Sequence, residues 1–340
     1  MAHQALYRTH RPTTFKDVVG QEQVTTSLSE VVKSGKIGHA YLFAGSRGLG
    51  KTSAARIFAR EIGCKENDLY EIDAASNNSV EDIRALTEGV YTLPFESPYK
   101  VYLLDEVHML SKGAWNAFLK TLEEPPPYAV FILATTELEK VPATVQSRCQ
   151  VFEFKKPARV ALAKMITGIA KKEGAALDAS AADLIAMLAE GSYRDALTIL
   201  QKVLTTGEKK LSRKMVEITT GAPRRELVHA LVDALALSER GRALAAIEDA
   251  VRADIDLRLY LELVLETLRS VLLIRHAPDL APRLREELGG DEFAILQKVA
   301  EQKGITHATM LAFLTASDRI RYAPIPALPL ELAVLEALPE

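Results

Sequence analysis

The amino-acid sequence predicts an α/β core built around a parallel sheet, followed by two helical domains. Up to about residue 156, short apolar runs alternate with helical stretches, which is typical of a parallel sheet flanked by helices. From residue 158 onward the predicted strands stop, and Leu, Ala and Val recur at helical spacing almost to the end. A Gly-Ala-Pro sequence at 221–223 divides this helical part. The sequence therefore predicts three domains, which cover residues 1–157, 158–221 and 222–340.

Individual elements follow from the apolar runs and from the residues that punctuate them. The predicted strands of the core cover residues 41–44, 69–72, 101–104, 130–134 and 151–154. Two helices are predicted between them, at 79–89 and 111–124. The first opens with a capping-box pattern of Ser79 and Asp82, and prolines 125–127 end the second. Beyond the core we expect three short helices in residues 158–221, and further helices at 227–237, 243–252, 257–274, 293–302 and 310–322.

A glycine-rich loop follows the first predicted strand. Residues 45–52 fit the pattern G-x-x-x-x-G-K-[ST], and helical spacing follows from residue 52 to 62. Strand, glycine loop and helix in this order are typical of a loop that holds the phosphates of a nucleoside triphosphate. Glycines are needed because side chains would block the approach of backbone N–H groups to the phosphates. A chance glycine turn before a helix is the alternative, and the matching flanks disfavour it.

The residue types of this loop predict individual roles. Lys51 is expected to reach the β- and γ-phosphates, and the Thr52 hydroxyl is expected to ligate Mg²⁺. The N-terminus of the following helix adds free N–H groups and the positive end of its dipole. The predicted nucleotide-binding residues of this segment are Gly45, Ser46, Arg47, Gly48, Leu49, Gly50, Lys51, Thr52 and Ser53.

Two carboxylates follow the predicted strand at 101–104. Asp105 is expected to hold Mg²⁺, directly or through water, and Glu106 to polarise the attacking water. Two acids at a strand end are also common on solvated turns, so this pattern gains its meaning from the phosphate loop. His108 stands close to both acids in the sequence, and we expect it to be structural rather than a metal ligand.

Composition excludes several classes of protein. Of the 340 residues, 48% are hydrophobic and 26% are charged, as in globular chains with full cores. No run of 18 apolar residues exists and the first residues lack a signal-peptide core, so no membrane segment or secretion signal is predicted. Two cysteines, Cys64 and Cys149, are too few for a disulfide framework and favour a reducing cytoplasm. With a net charge of −3, contacts to nucleic acid would have to come from local basic sites or helix ends.

An α/β nucleotide-binding core followed by a small helical domain is the plan of the AAA+ family. Within that family, the sequence resembles the γ/τ subunits of the bacterial DNA polymerase III clamp loader. The resemblance covers the first two predicted domains densely and the third only by its helical texture. Besides the phosphate loop, it rests on RPTTFKDVVGQ at 11–21, EIDAAS at 71–76, DEVHML at 105–110, LKTLEEPP at 119–126, ATT at 134–136, SRC at 147–149 and GSYRDAL at 191–197.

The resemblance implies roles for residues that spacing alone does not distinguish. Arg148 would be an arginine finger that reaches the γ-phosphate of ATP in a neighbouring subunit; otherwise it is an ordinary surface arginine. Thr136 would be a sensor of γ-phosphate or water, the alternative being a strand residue that favours β structure. Arg194 would contact the nucleotide of its own subunit and couple the lid to ATP, unless it is a surface charge.

Other implied contacts concern the base and DNA. The N-terminal segment would line an adenine pocket through Tyr7, Arg11, Pro12, Val18 and Val19, although both valines could simply belong to the core. A helix end at about residue 80, with free N–H groups facing outward, would contact DNA phosphates without reading bases. The candidate DNA-binding residues are Asn77, Asn78, Arg84 and Lys120; asparagines stand where relatives often carry basic residues.

One feature of the family is missing from the sequence. Relatives usually insert a cysteine-rich zinc module between the helix after the phosphate loop and the next strand. Here Cys64 has no cysteine or histidine nearby, whereas a structural zinc site needs four ligands. We therefore predict no zinc, and an inert thiol at Cys64.

The resemblance implies an ATP hydrolase that uses ATP and Mg²⁺ within the DNA polymerase III holoenzyme, a DNA-directed DNA polymerase of the bacterial cytoplasm. Its partners would be the δ and δ′ subunits, further copies of itself, the sliding clamp and primer–template DNA, but no membrane. Residues 158–221 would form a helical lid and 222–340 a collar that joins subunits. The helicase- and polymerase-contacting regions of longer forms are expected to be absent.

Two alternatives remain at this point. One is another P-loop DNA motor such as a helicase, although no further helicase core follows residue 156. The other is a non-hydrolysing scaffold subunit of a ring. Intact Lys51, Thr52, Asp105 and Glu106 argue against a scaffold.

Overall fold

Residues 4–338 are described in a computed structural model, except for the side chains of residues 286, 287 and 291. They divide into two compact units. One unit comprises the residues up to Ile169 together with Ala186–Gln201, and the other comprises Ala170–Ile185 and the residues from Lys202 onward. The boundaries of the three domains predicted from the sequence remain a prediction.

The first unit is built on a parallel sheet of five strands. Its order is β2-β3-β4-β1-β5, with β1 at Ala40–Ala44, β2 at Leu69–Asp73, β3 at Lys100–Asp105, β4 at Ala129–Thr135 and β5 at Gln150–Glu153. All five strands predicted from apolar runs are confirmed, with ends that differ by at most one residue. The central strands β1 and β4 are buried along their whole length, which explains why they are continuous apolar runs rather than alternating ones.

Helices precede these strands, connect them or follow them directly. They are α1 (Leu6–Thr9), α2 (Glu22–Ser34), α3 (Lys51–Glu61), α4 (Val80–Val90), α5 (Lys112–Glu123) and α6 (Ala143–Gln146). On one face of the sheet, Phe131 and Leu42 pack in a cluster with Phe118 of α5. On the other face, Phe43 and Ile132 share a cluster with Phe58 of α3. The sheet is therefore covered by helices on both faces, as its apolar strands require.

The region of residues 158–221 differs from its prediction. It contains four helices rather than three: α7 (Arg159–Lys172), α8 (Ala179–Leu188), α9 (Tyr193–Leu204) and α10 (Arg213–Thr220). The expectation that strands stop after residue 157 is wrong, because Ala176–Leu177 (β6) pairs in parallel with Lys210–Leu211 (β7). Each of these strands has only two residues, so neither produces a period-2 pattern that sequence analysis could detect.

The rest of the second unit is helical, as predicted. Its helices are α11 (Arg225–Ala236), α12 (Arg240–Arg252), α13 (Leu257–His276), α14 (Ala281–Leu288), α15 (Gly290–Glu301), α16 (His307–Arg319) and α17 (Leu328–Ala337). The longest helix, α13, packs against α11, α15 and α16 and buries Tyr260, Val264 and Leu268. Two helices were not predicted: α14, in which four of eight residues are charged, and α17, in which eight of ten residues are apolar. In residues 4–338, no helix is both long and apolar enough to cross a membrane.

Candidate nucleotide-binding site

The phosphate loop connects β1 to α3 at the carboxyl edge of the sheet, where ligands of open parallel sheets bind. Gly48 has a φ of 76°, and a Cβ there would lie 2.1 Å from Ser192 Oγ. Gly45 has a φ of 141°, and its Cβ would lie 2.4 Å from the Phe154 carbonyl oxygen. Both positions therefore exclude larger residues, because neighbouring atoms fill the space of a side chain.

Lys51 is the first residue of α3, and its side chain folds back over the loop. Its Nζ donates to the carbonyl oxygens of Gly45 at 2.5 Å and Ser46 at 3.0 Å. Only 6% of the residue is exposed. Burial lowers the pKa of its ammonium group, although the negative charges of Glu106 and Asp105 act to raise it. The amino group is thus held inside the loop, where a phosphate could replace the two carbonyls as its partner.

Thr52 and Asp105 come together as the sequence predicted. The Thr52 hydroxyl donates to Asp105 Oδ2 at 2.7 Å, which joins the start of α3 to the end of β3. A hydroxyl and a carboxylate oxygen are ligands that Mg²⁺ prefers, and Mg²⁺ is usually held by few protein groups together with phosphates and water. The donor set fits a Mg²⁺–nucleotide complex.

Glu106 lies in a left-handed backbone conformation, with a φ of 51°, directly after β3. Its Oε2 accepts a hydrogen bond from Thr136 Oγ1 at 3.1 Å. Left-handed conformations are costly for residues with a side chain and are concentrated at functional sites. The predicted water-activating residue and the predicted sensor are therefore in direct contact.

His108, which the sequence predicted to be structural rather than a metal ligand, also lies close to Glu106. Its Nδ1 lies 3.1 Å from Thr135 Oγ1 and 3.5 Å from Glu106 Oε2, and its Nε2 lies 3.3 Å from Glu137 Oε1. The Thr135 hydroxyl donates to the Glu137 carbonyl oxygen, so its own oxygen is free to accept from Nδ1 in the tautomer that carries the proton there. Thr135 and Glu137 were missed by sequence reasoning, because nothing in their spacing connects them to the acidic strand end.

The N-terminal segment meets the loop and the start of α9. The Arg11 Nε donates to Ser53 Oγ at 3.2 Å, and the Tyr193 hydroxyl donates to the Val19 carbonyl oxygen. The Arg194 guanidinium lies 4.7 Å from the centre of the Tyr7 ring. Of the other predicted pocket residues, Pro12 is half-buried and Val18 is buried.

Tyr193 also ties α9 to the phosphate loop. Its backbone N–H donates to the Gly48 carbonyl oxygen at 3.0 Å, beside the contact of Gly48 with Ser192. Residues 191–197 form one of the motifs that carry the family resemblance, but among them only Arg194 had a predicted role. The roles of Ser192 and Tyr193 emerge only when the fold brings α9 to the loop.

Arg148 bonds to residues away from the phosphate loop. One Nη donates to the Thr144 carbonyl oxygen at 2.6 Å, and the other pairs with Glu123 Oε1 at 2.6 Å. About a third of the side chain, 34%, is exposed. The head group is fixed yet open to solvent, which suits a group that acts on another molecule.

The candidate DNA-binding residues lie on and before α4 and on α5. Arg84, Lys120 and Asn78 are exposed, whereas Asn77 is half-buried and its amide donates to the Asp73 carbonyl oxygen. The predicted capping box is confirmed, because Ser79 Oγ accepts from the N–H of Asp82, whose carboxylate accepts from the N–H of Ser79. This box engages two of the N–H groups that the sequence analysis expected to face outward without partners.

The two cysteines are free thiols. Burial raises the pKa of Cys64 to about 11 and that of Cys149 to about 12, so both stay protonated and unreactive at neutral pH. In the part of the chain that the structure describes, no cluster of three or more His, Cys, Asp or Glu side chains is suited to hold a metal ion.

Two family models match the chain. That of the DNA polymerase III delta subunit matches residues 20–79 and 66–158, and that of domain III of the DNA polymerase III subunits gamma and tau matches residues 211–339. Together they cover both the nucleotide-binding core and the helical C-terminal region.

Curated relatives agree with these models. The chain is 39% identical over 301 residues to DNA polymerase III subunit tau of Bacillus subtilis, covering 82% of this chain and 54% of the relative. It is 35% identical over 364 residues to subunit tau of Escherichia coli, covering 99% of this chain and 56% of the relative. The chain thus spans little more than half the length of these relatives. The 364 aligned positions exceed the 340 residues of this chain, so the relative carries residues in the aligned region that this chain lacks.

Solved structures agree on the fold. The RuvB Holliday junction branch migration motor of Thermotoga maritima superposes with a TM-score of 0.53 at 22% identity, covering 66% of this chain and 79% of that one. At this identity the likeness concerns the AAA+ fold alone. The two family models and the tau relatives together show that the chain belongs to the gamma/tau family of DNA polymerase III subunits.

Proposed function

We propose that this chain binds and hydrolyses ATP as a subunit of a bacterial clamp loader, and that the ATP cycle drives loading of a sliding clamp onto primed DNA. The observation that carries the proposal is the contact between Thr52 and Asp105 beside the buried Lys51. These three side chains provide a phosphate partner and a Mg²⁺ site at one edge of the sheet. Membership of the gamma/tau family supports the same conclusion.

ATP binding requires the loop residues 45–53 and the N-terminal segment together. In the proposed complex, Lys51 exchanges its two loop carbonyls for phosphate oxygens, and Mg²⁺ is held by Thr52 and Asp105. The adenine base of ATP is held by the N-terminal segment, through Tyr7, Arg11, Pro12, Val18 and Val19. Mg²⁺ supplies neutralisation of charge on the phosphates.

Hydrolysis needs a base, a sensor and an extra positive charge. Glu106 polarises the attacking water, and Thr136, already bonded to its carboxylate, reports whether a γ-phosphate is present. Arg148 acts in trans on the γ-phosphate of a neighbouring subunit, an effect worth about 10³–10⁵ in rate in analogous systems. A finger in trans makes turnover depend on assembly.

Nucleotide binding is coupled to shape through α9. Arg194 stacks over Tyr7, and Tyr193 bonds to Gly48, so the start of α9 contacts both the base side and the phosphate loop. A nucleotide bound there interacts with α9 only when α9 is seated, which shifts the population toward that arrangement. Residues 158–221 act as the lid and 222–340 as the collar in this proposal.

The proposed partners are δ and δ′ subunits, further copies of this chain, a sliding clamp and primer–template DNA, in the bacterial cytoplasm. DNA contacts are assigned to Asn78, Arg84 and Lys120, which are exposed, and to Asn77. They are phosphate contacts that position the duplex and carry no sequence information. Such contacts weaken as salt concentration rises, and the slope reports how many phosphates are neutralised.

The test is ATP turnover by the chain mixed with δ and δ′, with and without clamp and primed DNA, for wild type and Arg148→Ala. We expect strong stimulation by clamp plus primed DNA, lost in the variant while fluorescent nucleotide still binds. Arg252→Ala is the control, because Arg252 is also an arginine that pairs with a carboxylate, Glu248, but its side chain is 70% exposed and lies outside the core. It should turn over like wild type.

The alternatives give other outcomes in the same assay. Strand separation by the chain without partners would indicate a helicase. Nucleotide binding without any turnover, with clamp and DNA present, would indicate a scaffold. Turnover that is indifferent to clamp, or unchanged in Arg148→Ala, would overturn the proposed mechanism.

A further inference from the structure

The side chain of Arg148 is held by a residue distant in the sequence. Glu123, the last residue of α5, lies 25 positions earlier in the chain, and its Oε1 is 2.6 Å from Arg148 Nη2. The other anchor, the carbonyl oxygen of Thr144, lies in α6, which ends two residues before Arg148. Among the described residues, Glu123 is therefore the partner that fixes the guanidinium to an element distant in the sequence.

Helix α5, which carries Glu123, is packed firmly against the sheet. Helix α5 buries Trp115, Phe118 and Leu122 in the core cluster against the sheet. Glu123 directly follows the buried Leu122 in the last turn of α5, so the backbone that carries its carboxylate is fixed by core packing. An arginine head group anchored there loses fewer degrees of freedom when it binds a phosphate than an arginine on a mobile side chain.

The position of Glu123 is electrostatically unfavourable for α5 itself. A carboxylate at the C-terminal end of a helix faces the negative end of the helix dipole, and a second acid, Glu124, follows directly. The guanidinium of Arg148 compensates this charge. The ion pair with Arg148 thus accounts for an acidic residue at the C-terminal end of α5, a position that helix stability alone would disfavour.

The pair also leaves Arg148 able to bind a phosphate. A guanidinium has five N–H donors, and only two of them are directed at Glu123 and Thr144. The side chain is 34% exposed. Donors on its outer edge can reach an incoming phosphate without breaking either inner bond.

We propose that Glu123 is a positioning residue for Arg148, which orients the guanidinium toward the γ-phosphate of ATP in a neighbouring subunit. This inference rests on the proposed function, because it assumes that Arg148 acts in trans. Glu123 itself contacts no nucleotide in this arrangement. Its effect should therefore appear in kcat and not in the binding of ATP.

The experiment measures kcat and KM for ATP in the assembled complex with clamp and primed DNA. We expect Glu123→Ala to lower kcat about tenfold, because a misplaced catalytic group typically costs one to two orders of magnitude, with little change in KM. Glu123→Gln should recover most of the rate, since its amide oxygen can still accept from Nη2. Glu124→Ala is the control: it removes the neighbouring exposed acid, for which the described residues show no side-chain partner, and should match wild type.

A double variant separates positioning from other roles. Glu123→Ala combined with Arg148→Ala should be no slower than Arg148→Ala alone, because an orienting residue has nothing left to orient. The inference is overturned if Glu123→Ala turns over as fast as Glu124→Ala, if it is faster than wild type, or if it slows the Arg148→Ala complex further by the same factor. Full turnover in Arg148→Ala alone would instead overturn the proposed function.

Discussion

Thr52 and Asp105 show how individual side chains define the proposed Mg²⁺ site. Their contact of 2.7 Å joins two segments that are separate in the sequence, a helix start and a strand end. The hydroxyl is needed as a donor to the carboxylate here and as a proposed ligand once Mg²⁺ is bound. A substitution at Thr52 should consequently act through the metal and not through the shape of the loop.

We expect Thr52→Val to weaken binding of Mg²⁺–ATP about tenfold, as for the loss of one hydrogen bond to a charged group, and to affect metal-free ATP less. Titration of a fluorescent ATP analogue with and without Mg²⁺ measures this. Thr52→Ser keeps the hydroxyl and should bind like wild type. Equal losses with and without Mg²⁺ would contradict a metal role.

The phosphate loop also depends on the absence of a side chain at Gly48. Gly48→Ala has to accommodate a left-handed φ and a Cβ 2.1 Å from Ser192 Oγ. We expect a loss of more than 1–2 kcal/mol in the free energy of unfolding, about the cost of the backbone conformation alone. Gly35→Ala is a matched control, because Gly35 has a φ of 65° with no atom within 4 Å of its Cβ position. Chemical denaturation should show a smaller loss there.

At the scale of elements, one buried carboxylate holds the loop between α4 and β3. Asp68 is fully buried and accepts three backbone N–H groups, from Phe95 at 2.6 Å and from Glu96 and Ser97 at 2.9 Å. Burial alone would raise the pKa of Asp68, but these hydrogen bonds outweigh it and the pKa lies below its ordinary value. The loop is therefore fixed against the start of β2 by charge-assisted bonds.

We expect Asp68→Asn to lower the free energy of unfolding by about 3 kcal/mol at pH 7, because an amide accepts less strongly and can leave buried donors unsatisfied. A lowered pKa means that the stabilisation is present above the unfolded-state pKa, near 4, and is lost as pH falls through the folded-state value. The difference between wild type and variant should thus shrink below about pH 4. Denaturation curves at several pH values measure it, and a difference that grows in acid would contradict this account.

Individual helices and strands also show which elements can be predicted from the sequence and which cannot. Helix α4 was predicted almost to the residue, because Ser79 and Asp82 mark its start by a local pattern. The short strands β6 and β7 were not predicted, because each has two residues and exists only through its pairing with the other. Helix α17 was missed because eight of its ten residues are apolar, so it lacks the contrast between an apolar and a polar face that marks an amphipathic helix.

At the scale of the whole molecule, the second unit contains its own buried charge cluster. Glu292 of α15 lies 2.9 Å from His229 Nε2 and 3.0 Å from Arg225 Nη1, both on α11. Burial tends to raise the pKa of Glu292, but its hydrogen bond with His229 and nearby positive charges bring it below its ordinary value. This cluster joins two helices of the bundle far from the phosphate loop in the sequence.

We expect Glu292→Ala to destabilise the second unit by about 3–5 kcal/mol, because it leaves the partly buried guanidinium of Arg225 without its carboxylate partner. Nucleotide affinity of the folded chain should stay unchanged. Glu248→Ala, which removes an exposed partner of Arg252, should cost at most about 1 kcal/mol. Calorimetry and nucleotide titration measure both quantities. A loss of nucleotide affinity at a temperature where the variant is folded would show that the cluster affects the site.

The sequence by itself determined the features that reside in contiguous residues. The phosphate loop, the acidic strand end, the capping box and the five core strands were all predictable, because their chemistry or periodicity lies within a few positions. The resemblance to gamma/tau subunits rested on similar local motifs and was confirmed by the family models.

The tertiary structure decided which distant residues meet. It brought Thr136 to Glu106 across 30 positions and Glu123 to Arg148 across 25, and it seated α9 against Gly48. Such pairs leave no periodic trace in one sequence, because each depends on the register of the sheet and on the packing of its helices. Local motifs can be recognised in neighbouring residues, whereas the orientation of side chains such as Glu106 and Arg148 is set by contacts that exist only after folding.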